Sequence, residues 1–286
     1  MYAVTGITGK VGGAVARTLL DAGLPVRAVV RDADKGKVWA ERGCDVAIAS
    51  ITDVDGLTKA LSGVDGVFLM QPPNYDPEPG FPITRDGVAA VRAAVNAARP
   101  GKLVLLSTVG AHVEELSLLN NSKIIEEGLS TLPVPVAFVR AAWFMENAAW
   151  DVEAAKAGVV PSFLQPLDHP IPMVATADIG RTAAEVLRER WTGTRIVELE
   201  GPRRYSANDI AAGFVAALGH PVRMDPVPRD TWEALFRSQG MKHPLPRIRM
   251  VDGFNEGWID FEGGAAEHRR GLTPLEVVLK GLVAGE

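Results

Sequence analysis

Residues Val4 to Gly13 read VTGITGKVGG: a buried strand, a glycine turn and the opening of a helix. Gly6, Gly9 and Gly12 fall at three-residue steps. In turn they suit a tight bend, a backbone bare of Cβ where a pyrophosphate comes close, and a helix start packed against a sheet. The spacing G-x-x-G-x-x-G is a variant of the commoner G-x-G-x-x-G. The unpaired N–H groups of Thr8, Gly9, Lys10 and Val11 are expected to point at an anion, with the helix dipole adding to the attraction. A βα turn that merely needs small residues would look the same, so context decides. The glycines follow an apolar strand and precede a helical run (Val15, Leu19, Leu20) that ends at Gly23, and a second strand spans Pro25 to Val30. That order favours dinucleotide binding.

Bulk properties suit a globular body of enzyme size. The 286 residues are 47% hydrophobic and 23% charged, which argues against disorder and allows a sizeable core. The apolar runs are too short to cross a bilayer, so no membrane association is expected. A net charge of −5 leaves no electrostatic footprint for nucleic acid. The single cysteine, Cys44, excludes an internal disulfide framework and reads best as a small buried hydrophobe. It suits a reducing cytoplasm. Because the first strand begins at about residue 2, no charged-then-apolar leader is expected.

The first half alternates short apolar runs with helical patterns, as a parallel sheet with crossover helices requires. Strands are expected at Tyr2 to Thr5, Pro25 to Val30, Val46 to Ala49, Val67 to Met70, Leu103 to Ser107 and Val134 to Arg140. Thr52 and Asp53 start a helix that Gly63 closes, and Pro100-Gly101 stops another filling residues 84 to 98. Past Trp150 the rhythm changes. Asp178 is expected to cap a helix running to about Arg190, Arg195 to Glu200 reads as one further strand, and Ser206 opens a helix that stops at Gly219. Thr273-Pro274-Leu275-Glu276 combines a capping box with proline at the first helical position. The fold class is therefore α/β. A Rossmann-type doubly wound parallel sheet over residues 1–150 is expected to carry a smaller C-terminal α/β lobe over residues 151–286, with some elements returning to the sheet.

The end of the second strand decides between cofactors. An acidic side chain there holds the ribose hydroxyls of NAD, and a basic one meets the 2′-phosphate of NADP. Ala28-Val29-Val30 run straight into Arg31, which can fork onto a phosphate, and Lys35 adds charge about one helical turn on. Asp32 could take the NAD role, but the order of residues favours NADP.

With these residues in view, the chain resembles the NmrA-like branch of the atypical short-chain dehydrogenases, which includes quinone oxidoreductases and azoreductases. Beyond the glycine turn the likeness rests on VFLMQPP (Val67 to Pro73), LVLLSTVGA (Leu103 to Ala111), VRAAWFMEN (Val139 to Asn147) and, more loosely, GWIDFEGG (Gly257 to Gly264). The resemblance implies a cofactor lying along Gly6, Thr8, Gly9, Lys10, Val11 and Gly12, then Arg31, the Met70-Gln71 edge and the Ser107-Thr108 edge. It implies a nicotinamide facing Trp143 and Phe144, with Asn74 also on the substrate side. Read from the residues alone, Trp143, Phe144 and Met145 are a core cluster under a loop. The loop from Gln71 to Pro82 carries five prolines, stiff enough to act as a lid over substrate.

Ordinary short-chain dehydrogenases place a tyrosine four residues before a lysine whose charge helps the phenol act as acid. This chain has no such pair. Tyr2, Tyr75 and Tyr205 are followed four places on by Gly6, Pro79 and Asp209. Lys123 stands where the family's helix carries the lysine, but Leu119 precedes it by four. Lys123 would either hold the nicotinamide ribose or be a plain surface lysine. No catalytic residue is assigned. The five histidines show no metal-ligand spacing, and no metal is expected. The gap suits a small-molecule acceptor that needs no strong enzymic acid, such as a quinone, an azo or nitro compound or an iminium. The alternative is a redox sensor that binds NADP(H) without turnover and signals through a regulatory protein partner.

Overall fold

The structure is a computed structural model and describes residues 1–285. Strand and helix alternate through the first half: β1 (Tyr2–Thr5), α1 (Lys10–Asp21), β2 (Val26–Val30), α2 (Ala33–Ala40), β3 (Asp45–Ile48), α3 (Val54–Leu61), β4 (Gly66–Leu69), α4 (Pro82–Ala98), β5 (Leu103–Thr108), α5 (Asn120–Leu129) and β6 (Val136–Ala141). Then come β7 (Trp143–Phe144), a 3₁₀ helix (Met145–Asp151), α6 (Val152–Lys156), β8 (Val159–Ser162), β9 (Ile171–Val174) and α7 (Thr176–Arg188). The remainder holds β10 (Thr194–Glu200), β11 (Arg204–Tyr205), α8 (Ala207–Leu218), β12 (Arg223–Pro226), α9 (Trp232–Ser238), α10 (Leu245–Glu256), β13 (Glu267–Arg270) and α11 (Leu275–Ala284).

Eight of these strands form one parallel sheet in the order β13-β10-β6-β5-β4-β1-β2-β3. Read from β3 to β6, this is the 3-2-1-4-5-6 order of a dinucleotide-binding sheet, whose direction reverses between β1 and β4. The fold is α/β, of Rossmann type. Val4, Ala28, Val104 and Val139 point to one face, where residues of α1 and α7 cover them. Ala3, Val29, Leu103 and Phe138 point to the other, under α3, α4 and α5. Near-continuous apolar strands follow from burial on both faces. Beyond the sheet's C-terminal edge, Met145, Met173, Tyr205, Phe214 and Leu279 form a further core. Trp232, Phe236, Ile248 and Val251 form a small one between α9 and α10. Among the described residues, no helix is long and apolar enough to cross a membrane.

Two expected caps are corrected. Asp178 lies inside the first turn of α7, fully buried, and accepts from Arg181 and from both the N–H and the hydroxyl of Thr273. The start of α7 is held instead by Glu146, which accepts from the N–H and hydroxyl of Thr176. The Thr273 hydroxyl is therefore occupied in tying α11 to α7. No capping box forms there, and Pro274 is the cap itself. Ser206, by contrast, makes the expected cap, with Asp209 completing a reciprocal box.

Candidate site at the sheet's C-terminal edge

Gly6 ends β1 in the left-handed region at φ +60°, a conformation that glycine adopts without strain. The Met70 side chain lies against it, and the Met70 N–H donates to Thr5 Oγ1 at 3.0 Å. Gly9 caps α1 from extended backbone (φ −95°, ψ 174°) with no side chain over the helix end. A Cβ at Gly12 would sit 2.5 Å from the Gly6 carbonyl carbon and 2.9 Å from Ile7 N, so only glycine lets α1 close on the turn. A Cβ at Gly9 would meet only the Gly6 oxygen, at 3.3 Å, and otherwise open space. Among the described residues, no acceptor lies on the N–H groups of Thr8, Lys10, Val11 or Gly12. The Gly9 N–H, expected to face an anion, instead donates to Gly6 O at 2.9 Å, because closing the turn requires it. The helix end remains an anion cradle with a slightly different set of donors.

A cleft of about 250 Å³ opens beside this turn. It brings together Gly6, Thr8 and Gly9 with Arg31 at the end of β2 and with Met70 and Gln71 after β4. Sequence reasoning missed Ala49, Ser50 and Ile51, which follow β3 and line the same cleft. Their signal was the strand order, since β3 lies next to β2. Arg31 is exposed and carries no ion pair among the described residues. Asp32 is not available to a ribose in the same way. Its carboxylate caps α2, accepting from the Asp34 N–H at 2.8 Å. Lys35 is exposed on the first turn of α2 and is not part of the cleft lining.

Further along the edge, Ser107 and Thr108 end β5. The register Ser107↔Arg140 and Arg140↔Glu198 sets three polar side chains on one line across the sheet. Ser107 donates to Glu126 of α5. Arg140 bonds Glu126 at 2.7 Å and Glu262 at 2.5 Å and lies 3.9 Å from Glu198. Burial works against the Arg140 charge, but the bonds to Glu126 and Glu262 outweigh it and hold the guanidinium above its ordinary range. None of Glu126, Arg140, Glu198 and Glu262 was singled out in the sequence. For Arg140 and Glu198 the signal was present, as charges inside the apolar runs VAFVRAA and IVELE. Among the described residues, no group of side chains is arranged to hold a metal ion.

This arrangement of an open α1 cradle at a 3-2-1-4-5-6 switch point agrees with comparison to known proteins. Residues 2–260 match the NmrA-like family. The chain belongs to that family. It is 27% identical to the NAD(P)H azoreductase of Xenophilus azovorans over 90% of this chain and 85% of the relative. It is 30% identical to a (4-alkanoyl-5-oxo-2,5-dihydrofuran-3-yl)methyl phosphate reductase of Streptomyces griseus, over 86% and 83%. Its fold superposes with a TM-score of 0.80 on the NADPH-dependent quinone oxidoreductase of Escherichia coli in complex with NADPH, at 23% identity and 99% coverage of both chains.

In this NmrA-like protein, Lys123 is ion-paired with Glu114 and lies 3.9 Å from Glu127. The three tyrosines stand apart from any lysine partner of the dehydrogenase kind. Tyr2 lies in β1, and the Tyr205 hydroxyl accepts from the Leu275 N–H at 3.2 Å. Tyr75 is exposed and packs edge-on against Trp150 at 6.3 Å. The loop that carries Asn74 and Tyr75 is pinned at two places. Asp76 accepts from the N–H groups of Lys242 and His243, and Asn121 donates to Asn74 O at 3.4 Å. Trp143 and Phe144 are half-buried. Trp143 meets Phe254 of α10 edge-on at 5.2 Å, and Phe144 packs against the sheet core.

Proposed function

We propose that this NmrA-like protein is an NADPH-dependent reductase that passes hydride to a small conjugated acceptor such as a quinone, an azo compound or a nitro compound. The observation that carries the reading is the division of labour after β2. Arg31 stands in the cleft with no ion pair among the described residues, while the neighbouring carboxylate of Asp32 is held by its own helix. A guanidinium in that place favours a 2′-phosphate over a bare ribose.

The residues present fit the cofactor. A Cβ-free approach at Gly9 and the open N–H groups of Thr8, Lys10, Val11 and Gly12 would receive the pyrophosphate. Arg31 would take the 2′-phosphate, with Lys35 adding positive charge nearby. Gln71 borders the cleft, and among the described residues its buried Nε2, packed toward Gly87 of α4, has no acceptor. Bound NADPH would supply the hydride. Ser107 and Thr108 continue the binding edge, and Trp143, Phe144 and Asn74 border the acceptor. No tyrosine is paired with a lysine to deliver a proton, which restricts the acceptor to compounds whose reduced oxyanion or amine is weakly basic or charge-delocalised.

The test is steady-state NADPH consumption by purified protein against quinones, azo dyes, nitroaromatics, simple aldehydes and ketones. Turnover of one or more conjugated acceptors with near inertness toward ketones is the expected result. Fast ketone reduction would overturn the acid-free reading. Silence toward every acceptor, with NADPH bound, would replace the reductase by a binding-only sensor.

A further inference from the structure

Arg247 lies on α10, in the second half of the chain. The arginines near it on α9, α10 and the turn before α9 are matched: Arg229 and Arg249 share Asp252, and Arg237 pairs with Glu233. Arg247 is half-buried, stacks over the Phe236 ring at 4.6 Å, and finds only the Met241 sulfur, 3.9 Å from Nη1. Among the described residues, no carboxylate pairs with it. Burial holds its guanidinium below the ordinary arginine range, and only the nearby Tyr75 phenol acts in the other direction. A half-buried cation without a counter-ion is costly, and such a site is stabilised by an anion from outside.

The surroundings tie this cation to the site. Tyr75 belongs to the loop that leaves the cofactor cleft at Gln71, and Asp76 clamps that loop to the residues just before α10. Pro246 O accepts from Leu118 in the segment after β5. Seven residues separate Arg247 from Phe254, so helical periodicity sets both on one face of α10 about 10 Å apart along its axis. Phe254 is the ring on which Trp143 rests.

We propose that Arg247 anchors an anionic group of the acceptor, a carboxylate, sulfonate or phosphate, while the acceptor's conjugated part lies toward Trp143. This rests on the reductase reading above and narrows it to anionic conjugated acceptors. Tyr75 and Trp150, both exposed and in contact, form the aromatic rim past which such a molecule enters. Arg247 is a specificity residue in this scheme and moves no proton.

The experiment compares naphthoquinone with an analogue bearing a carboxylate on the ring away from the quinone, using wild type, Arg247→Met and Arg247→Lys. Wild type should prefer the carboxylate. Arg247→Met should lower the ratio of the two kcat/KM values by about tenfold or more, mainly through KM, as loss of a charged hydrogen-bonded contact requires. Arg247→Lys should restore most of the preference, and NADPH affinity should be alike in all three. A ratio unchanged in Arg247→Met, or a wild type that prefers the neutral quinone, overturns the proposal. If wild type reduces neither compound, the reductase reading falls, and tryptophan-fluorescence titration with the two quinones then decides the anchor. Preferential binding of the carboxylate that Arg247→Met abolishes supports it, and equal binding refutes it.

Discussion

Gly9 and Gly12 are three residues apart in one turn, yet the structure gives them opposite failures. At Gly12 an added methyl overlaps the Gly6 carbonyl and comes 2.9 Å from Ile7 N, and all of these are backbone atoms that no rotamer change can clear. Since ordinary contact begins near 3.4 Å, Gly12→Ala must push α1 off the turn by several tenths of an ångström or more. Overpacking of this kind costs about 1–3 kcal/mol. For a chain of 286 residues that is a fall in Tm of about 2–5 °C. At Gly9 the backbone is already extended and the methyl meets only one oxygen, at 3.3 Å, so Gly9→Val should melt within about 1 °C of wild type. Its branched side chain, however, stands over the open end of α1. Losing two backbone bonds to a charged pyrophosphate, at about 1.5 kcal/mol each, weakens NADPH at least about 100-fold. Differential scanning fluorimetry without cofactor and calorimetric titration with NADPH separate the two effects. The reasoning is refuted if Gly9→Val binds NADPH like wild type, or if it melts as low as Gly12→Ala.

Arg31→Ala should weaken NADPH by roughly 1.5–3 kcal/mol and leave NADH nearly unchanged, measured by paired titrations. Equal losses would mean that the guanidinium does not meet the 2′-phosphate. Burial pushes the Asp151 carboxyl up to about 6, so the folded state binds more protons than the unfolded between about pH 4 and 6. This group's contribution to stability is therefore greatest at acid pH and falls as pH rises through that window. Asp151→Asn should flatten the trend and stabilise the protein at pH 7.5 by about 1–2 kcal/mol, allowing for partial solvation, whereas a lower stability there would contradict the assignment. Arg140→Met leaves Glu126 and Glu198 buried without their cation and should cost about 3–5 kcal/mol in urea unfolding. A loss under about 1 kcal/mol would show that the carboxylates are neutral or hydrated.

The sequence by itself determined the parallel sheet and where its ligand edge lies. The strands β1, β2 and β4 to β6, largely buried between the helix layers, read as apolar runs, and glycine spacing, Gly63, Pro100 and Ser206 punctuate the chain through local backbone chemistry that needs no partner. Arg31 was legible for the same reason, since a residue leaving a strand end has its place set by the strand. Tertiary structure decided whatever depends on which distant group competes for a hydrogen bond or a charge. Thr273 and Asp178 look like helix caps, but each finds the other across 95 residues. The Gly9 N–H serves the turn rather than an anion, and Lys123 is drawn to Glu114. Strands β10 and β13 return from the second half to extend the main sheet, so the row joining Ser107, Arg140 and Glu198 exists only after the chain has folded back. Arg247 shows the limit most clearly. Nothing in LPRIRM distinguishes it from Arg249, and only packing shows that Arg249 has a carboxylate while Arg247 has none among the described residues. Local propensity acts between neighbours in sequence, while burial and charge pairing are properties of neighbours in space.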